Sequence, residues 1–181
     1  MTNKELIERY PFLKPHCDDY DYSWTELDFM PDGWRKAFGE MMCEELREEL
    51  IKYDFLDEYS IAEVKEKWGG LRWYDNGYPE GSKIPDIISK YECLSQNICV
   101  GCGKPDVPMT GVRWFIPMCM SCYTGNPEDW LEWFNKDHRM ADIRRYRRCD
   151  KDGWHDVEVD ISETAQKIRD VYNNKHNREE G

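Results

Sequence analysis

Between residues 33 and 53, Trp34, Phe38, Met41, Met42, Leu46, Leu50 and Tyr53 recur every three or four positions. That spacing gathers them on one face of a helix, with Asp32 placed to cap its start. Glu40, Glu44, Glu45, Glu48 and Glu49 fill the remaining surface, and Cys43 borders the stripe as a small core residue. From 61 to 74 the period shortens to two. Ala62, Val64, Glu66 and Trp68 alternate with Ile61, Glu63, Lys65 and Lys67, and Gly69-Gly70 then supplies a reversal before Leu71-Arg72-Trp73-Tyr74 returns. A helix over 85–96 puts Ile87, Tyr91 and Leu94 on one side and delivers the chain to Cys99.

Beyond residue 123, Asn126 and Pro127 start a third helix carrying Trp130, Leu131, Trp133 and Phe134, and the pattern extends it to about residue 148. Residues 154–161 alternate as a strand with Val157, Val159 and Ile161 on one side. Ser162 caps a last helix to about residue 174 with Ala165, Ile168, Val171 and Tyr172 inward, and 175–181 fray. Residues 1–31 read as an acidic, aromatic and irregular lead-in, with a short helix over 4–10 stopped by Pro11. The expected architecture is α+β: short β-hairpins and about four flanking helices around a small core. Four segments follow: 1–31, the helix–hairpin–helix region 32–98, a cysteine module with its helix 99–150, and a C-terminal strand and helix 151–181.

The core of that architecture comes from cysteine spacing. Cys99, Cys102, Cys119 and Cys122 form C-x2-C-x16-C-x2-C. Two cysteines three apart grip one metal from a tight turn, and two such knuckles complete a tetrahedron of thiolates, so the expected cofactor is a structural Zn2+ in a zinc-ribbon or treble-clef core. Gly101 and Gly103 ease the first turn, and Val112 to Ile116 fits a short hairpin between the knuckles. Iron–sulfur ligation accepts the same four thiolates. His16, Cys17, Cys149 and His155 are candidates for a second metal site, on unspecific spacing.

Charge and composition then narrow the partners. Aromatic residues make up 14% of the chain, against the pattern of disordered sequences. No apolar run approaches the roughly 20 residues needed to span a bilayer, so a cytoplasmic protein without membrane contact is expected. The formal charge of -12 is concentrated in residues 1–98, which hold 12 Lys/Arg against 22 Asp/Glu. Such a surface repels a phosphate backbone and either suits a basic protein partner or serves only solubility. Enzyme signatures are missing. No histidine is followed two residues later by Glu, which a zinc deaminase needs, and residues 103–118 hold no histidine for an HNH-type nuclease.

Three surfaces are candidates for binding. Glu44, Glu45, Glu48 and Glu49 offer an acidic face for a basic partner. Arg144, Arg145, Arg147 and Arg148, with Arg139 nearby, offer the one basic cluster, which either grips phosphate or pairs with the protein's own acids. Trp68, Arg72 and Trp73 could stack on a nucleotide or anchor a protein. Core packing competes for both tryptophans, whereas Arg72 needs a partner wherever it is buried.

The string Val64-Lys65-Glu66-Lys67-Trp68-Gly69-Gly70-Leu71-Arg72-Trp73-Tyr74 lies after Asp32-Gly33-Trp34 and before the two cysteine knuckles. Over residues 32–123 this order resembles a group of small phage and prophage proteins without an established activity. The resemblance implies zinc binding and a viral origin and transfers no catalytic residue. The expectation is a non-enzymatic phage accessory protein acting in the host cytoplasm. It would bind and inhibit a host protein, an immune-defence effector among the candidates. The alternatives are binding of a nucleotide or nucleic acid, including sequestration of a cyclic-nucleotide signal, and last a cryptic nuclease.

Overall fold

The computed structural model describes residues 1–17, 19–111, 115–136, 142–150 and 153–179. Helix α1, Asn3–Arg9, starts in a capping box: the Glu5 amide donates to the Thr2 hydroxyl and the Thr2 amide to the Glu5 carboxylate. Two single-turn 3-10 segments follow, Pro11–Leu13 and Glu26–Phe29. Leu6, Ile7, Tyr10, Phe12, Leu13, Leu27 and Met30 are all buried in the main core. The expected irregular lead-in therefore supplies a whole side of that core.

The long helix is continuous but not uniform. It opens as α2, Asp32–Trp34, widens into a π turn, Arg35–Gly39, and continues as α3, Glu40–Lys52. Its buried stripe, Trp34, Phe38, Met42, Leu46 and Leu50, advances four residues at every step. On an ideal α-helix each step of four overshoots the stripe by about 40°. A π turn holds more residues per turn, so it absorbs part of that drift. Tyr53, expected at the end of the stripe, is exposed.

Strands β1, Ile61–Lys67, and β2, Gly70–Asp75, pair antiparallel. A bulge at Ala62 lets Ile61 and Val64 both face inward, which strict alternation forbids. The reversal sits one residue earlier than expected. Trp68 (φ 56°) and Gly69 (φ 76°) form the two-residue turn, and Gly70 is already in β2.

Helix α4, Ile84–Ser95, is the hub. Its side chains close the outer edge of β2: the Leu71 amide donates to Ser95 Oγ (2.8 Å) and the Trp73 amide to Glu92 Oε1 (3.0 Å). Its start is held by α3, because the Lys83 amide donates to Glu49 Oε1 at 2.8 Å. Strands β3, Met109–Thr110, and β4, Ile116–Pro117, make a minimal ladder, and α5, Pro127–Lys136, packs on it. The expected Val112–Ile116 hairpin falls partly on 112–114, outside the described residues.

The largest departure from expectation lies beyond α5. The helix is described over Pro127–Lys136, and along its expected continuation β5, Ile143–Asp150, pairs with β6, Gly153–Asp160, through eight consecutive pairs. Tyr146 and Arg148 turn toward α4 and Arg144 toward Asn97 just after it, and Arg145 and Arg147 sit opposite Glu158 and Asp156 on the other face. Arginine is a good helix former, but here cross-strand charge pairs and a period of two prevail. Helix α6, Ser162–Glu179, runs past its expected end, with Ala165 and Ile168 buried and Val171 exposed.

The buried Glu49 yields a direct test. Its pKa is held below the ordinary 4.5 by the Lys52 ammonium and then by the Lys83 amide. Glu49→Ala should cost about 1–2 kcal/mol in urea unfolding at pH 7, as loss of a helix cap does. Exposed Glu48→Ala should stay within about 0.5 kcal/mol of the parent. A depressed folded-state pKa stabilises above the unfolded value and loses that contribution on acidification. The Glu49→Ala deficit should therefore shrink as pH drops below 4.5. An equal deficit at pH 3 and pH 7 contradicts the assignment.

Candidate metal centre

The first knuckle follows directly from α4. The Cys99 amide donates to Lys104 O (2.9 Å), and the Gly103 amide donates to Cys99 O (3.0 Å) with Gly103 in the left-handed region at φ 83°. The second knuckle closes when the Cys122 and Tyr123 amides donate to Cys119 O at 3.1 and 3.0 Å. Two further backbone bonds tie the knuckles together, Val100 N to Pro117 O and Met118 N to Pro108 O. All four sulfurs lie within 4.8 Å of one another, and Cys102 Sγ is 3.6 Å from Cys119 Sγ. Sulfurs around a tetrahedral ion with 2.3 Å bonds stand about 3.8 Å apart. The donor set therefore fits one tetrahedral metal ion. No pair is bonded as a disulfide.

Electrostatics point the same way. Burial opposes ionisation of Cys99, but the amides of Cys119, Cys102 and Gly101 donate to its sulfur and hold its pKa below the ordinary thiol value. Ligation needs that thiolate. Burial, and then the neighbouring sulfurs, push Cys102 and Cys122 up. Four thiolates this close repel one another, and a divalent cation at their centre reverses that balance. Gly101 keeps the space clear, since a Cβ there would sit 3.3 Å from Cys122 Sγ.

The knuckle is also where the long helix begins. The Gly33 amide donates to Val100 O (2.8 Å), and the buried Trp34 indole donates to Ile98 O (2.7 Å). A Cβ on Gly33 would fall 2.1 Å from Cys99 O and 2.7 Å from Gly103 N, and one on Gly103 would fall 2.7 Å from Gly33 O. The two glycines permit backbone-to-backbone contact that any side chain forbids. Other elements dock on the same module. Gly69 closes against the Met109 side chain and Phe115 O, Trp130 Nε1 donates to Met118 O (2.9 Å), and Arg169 forks onto Asp106 with two 2.8 Å bonds.

The remaining candidates are dispersed. Arg144 donates to Asn97 and Arg148 to Asp86, Arg147 lies 5.6 Å from the Trp154 ring centre, and Arg145 faces Glu158 across the ladder. Arg139 lies outside the described residues. Arg72 donates to Leu71 O and stands 3.9 Å from buried Glu92, which also accepts from the Tyr146 hydroxyl. Trp73 is core, with its indole on the Tyr59 hydroxyl, whereas Trp68 is 65% exposed at the hairpin tip. Glu44 binds Arg9 and Tyr10, Glu45 binds Lys90 and Tyr91, Glu49 caps α4, and Glu48 is exposed beside Lys52. Among the described residues the four cysteines are the one group of three or more such side chains gathered for a metal, so His16, Cys17, Cys149 and His155 do not form a second set of that kind. Sequence reasoning missed the Gly33–Gly103 contact and the Asp106–Arg169 fork. A glycine at the opening of a strong helix was the available signal for the first.

Family models, curated proteins and solved structures give no match to this chain. No family or phage link is therefore shown, and the site is read from its own geometry.

Gly33→Ala should destabilise the protein by about 1–3 kcal/mol, the usual cost of overpacking, and should release metal at lower chelator concentration. Gly39→Ala is the control: its added Cβ meets nothing closer than 3.5 Å. It should be neutral or mildly stabilising. Equal metal retention by both variants contradicts the proposed contact.

Proposed function

We propose that the protein is a non-catalytic binding protein whose four-cysteine cluster holds a structural zinc ion and whose acidic N-terminal half engages a basic partner protein. The observation that carries the reading is the set of four sulfurs within 4.8 Å of one another. Four thiolates fill every position of a tetrahedral ion and leave none for substrate or water, which favours a structural role. Zinc suits an isolated C-x2-C pair of knuckles with no second redox group beside it. The charge of residues 1–98 supplies steering toward a basic surface. The resemblance to phage proteins supports a host protein as that partner, with an immune-defence effector as the leading class.

A second reading, nucleotide or nucleic-acid binding, is favoured by one observation, the exposure of Trp68 beside Lys67 at the hairpin tip. The arginine cluster lends it less, because Arg144 and Arg148 are engaged inside the protein.

Purified reduced protein should contain one zinc per chain and no visible iron–sulfur absorption. Stoichiometric iron would overturn the metal assignment. A protein captured from host lysate should dissociate as salt rises, since opposed surface charges are screened over about 8–10 Å near physiological ionic strength. Tight binding to a nucleotide panel without any protein partner would favour the second reading.

A further inference from the structure

Residues 20–29 present four aromatic rings as one strip. Tyr20 lies 5.1 Å from Tyr22 and 6.5 Å from Trp24 between ring centres, and Trp24 meets Phe29 edge-on at 5.3 Å. The inner end is fixed, because the Tyr20 hydroxyl donates to Trp24 O. The outer rings are open: Phe29 is 54% and Tyr22 45% exposed. Tyr22 holds a left-handed backbone at φ 64°, a conformation that costs a non-glycine residue about 1–2 kcal/mol. Two hydrogen bonds sustain it, Asn3 Nδ2 to Tyr22 O (3.1 Å) and Ser23 N to Asp21 Oδ1 (3.0 Å). The ring is thus set outward at an energetic cost, and such outliers collect at functional surfaces.

The strip is bordered by carboxylates. Asp19 and Asp21 are exposed and Glu26 is half-buried, while Asp28 is neutralised by Arg35. No lysine or arginine occurs from residue 15 to residue 34. Ring faces and carboxylates together attract a cation with a flat, weakly hydrated face, the properties of guanidinium. A second copy of this chain would bring the same negative charge to the contact, and a nucleic acid would be repelled for the same reason.

We propose that the Tyr20–Trp24–Phe29 strip, with Tyr22 at its outer end, docks an arginine-bearing segment of a basic partner protein. This rests on the binding reading above and gives it a location. The probe is the peptide acetyl-Arg-Gly-Arg-Gly-Arg-amide, titrated into full-length, metal-loaded, 15N-labelled protein. Its citrulline counterpart keeps the shape and removes the charge. The Arg peptide should shift the Trp24 indole resonance saturably, and the citrulline peptide should bind at least tenfold more weakly. The Tyr22→Ala/Phe29→Ala double variant keeps every charge and removes two exposed rings, and should bind at least fivefold more weakly with the knuckle resonances unmoved. Wild-type affinity in that variant, or shifts spread evenly over all acidic surfaces, would overturn the proposal. A captured partner that ignores the double variant would overturn this location and leave the binding reading standing. Docking at Trp24 with no cellular partner would do the reverse.

Discussion

Two glycine backbones in direct contact carry the architecture. Gly33, in the first turn of the long helix, and Gly103, in the left-handed bend of the first cysteine knuckle, meet at distances no Cβ would allow. The contact is bonded as well as close, through Gly33 N to Val100 O and the Trp34 indole to Ile98 O. The two knuckles gather four sulfurs within 4.8 Å of one another, and a divalent cation at their centre would offset the repulsion between thiolates. Knuckle and helix start are therefore one mechanical unit, which a metal ion held by the four cysteines would lock. Trp34 is itself fully buried in the main core, so its indole bond to Ile98 O ties that core directly to the start of the knuckle.

The other elements extend that unit. Helix α4 enters the first knuckle at one end and is capped by Glu49 of α3 at the other, so both helices are fixed relative to the cysteines. Side chains of α4 then satisfy the open edge of β2 and receive Tyr146 and Arg148 from β5, while Asn97 just beyond the helix receives Arg144. Much of the charge that looks available in the sequence is used in these joints. Glu44, Glu45 and Glu49 are tethers before they are surface, and so are Arg144 and Arg148. The acidic surface left for a partner lies mainly elsewhere, including the lead-in around Asp19, Asp21 and Glu26.

What the sequence revealed follows from how local each signal is. The knuckles were legible because ligand spacing is a covalent constraint, and the long helix because five large apolar residues mark its face. The hairpin was legible from its glycines to within one residue, but the bulge at Ala62 was not, since a bulge changes which side chains face inward without changing composition. The arginines of β5 read as helix because their partners, Asp86 on α4, Asn97 just after it, and Glu158 and Asp156 on β6, are remote or pair only after folding. The role of Gly33 was hidden for the same reason. A glycine reports that a side chain is unwelcome, and only the fold shows what stands in its place.

The most direct test of this account is hydrogen exchange at the Gly33 amide and the Trp34 indole, compared between metal-loaded protein and protein stripped by chelator under reducing conditions. The account predicts that both lose protection together with Val100 when the metal is removed, because their acceptors belong to the knuckle. Retained protection at Gly33 and Trp34, in protein whose four cysteines have become freely reactive, would show that the helix start stands without the metal and would contradict it.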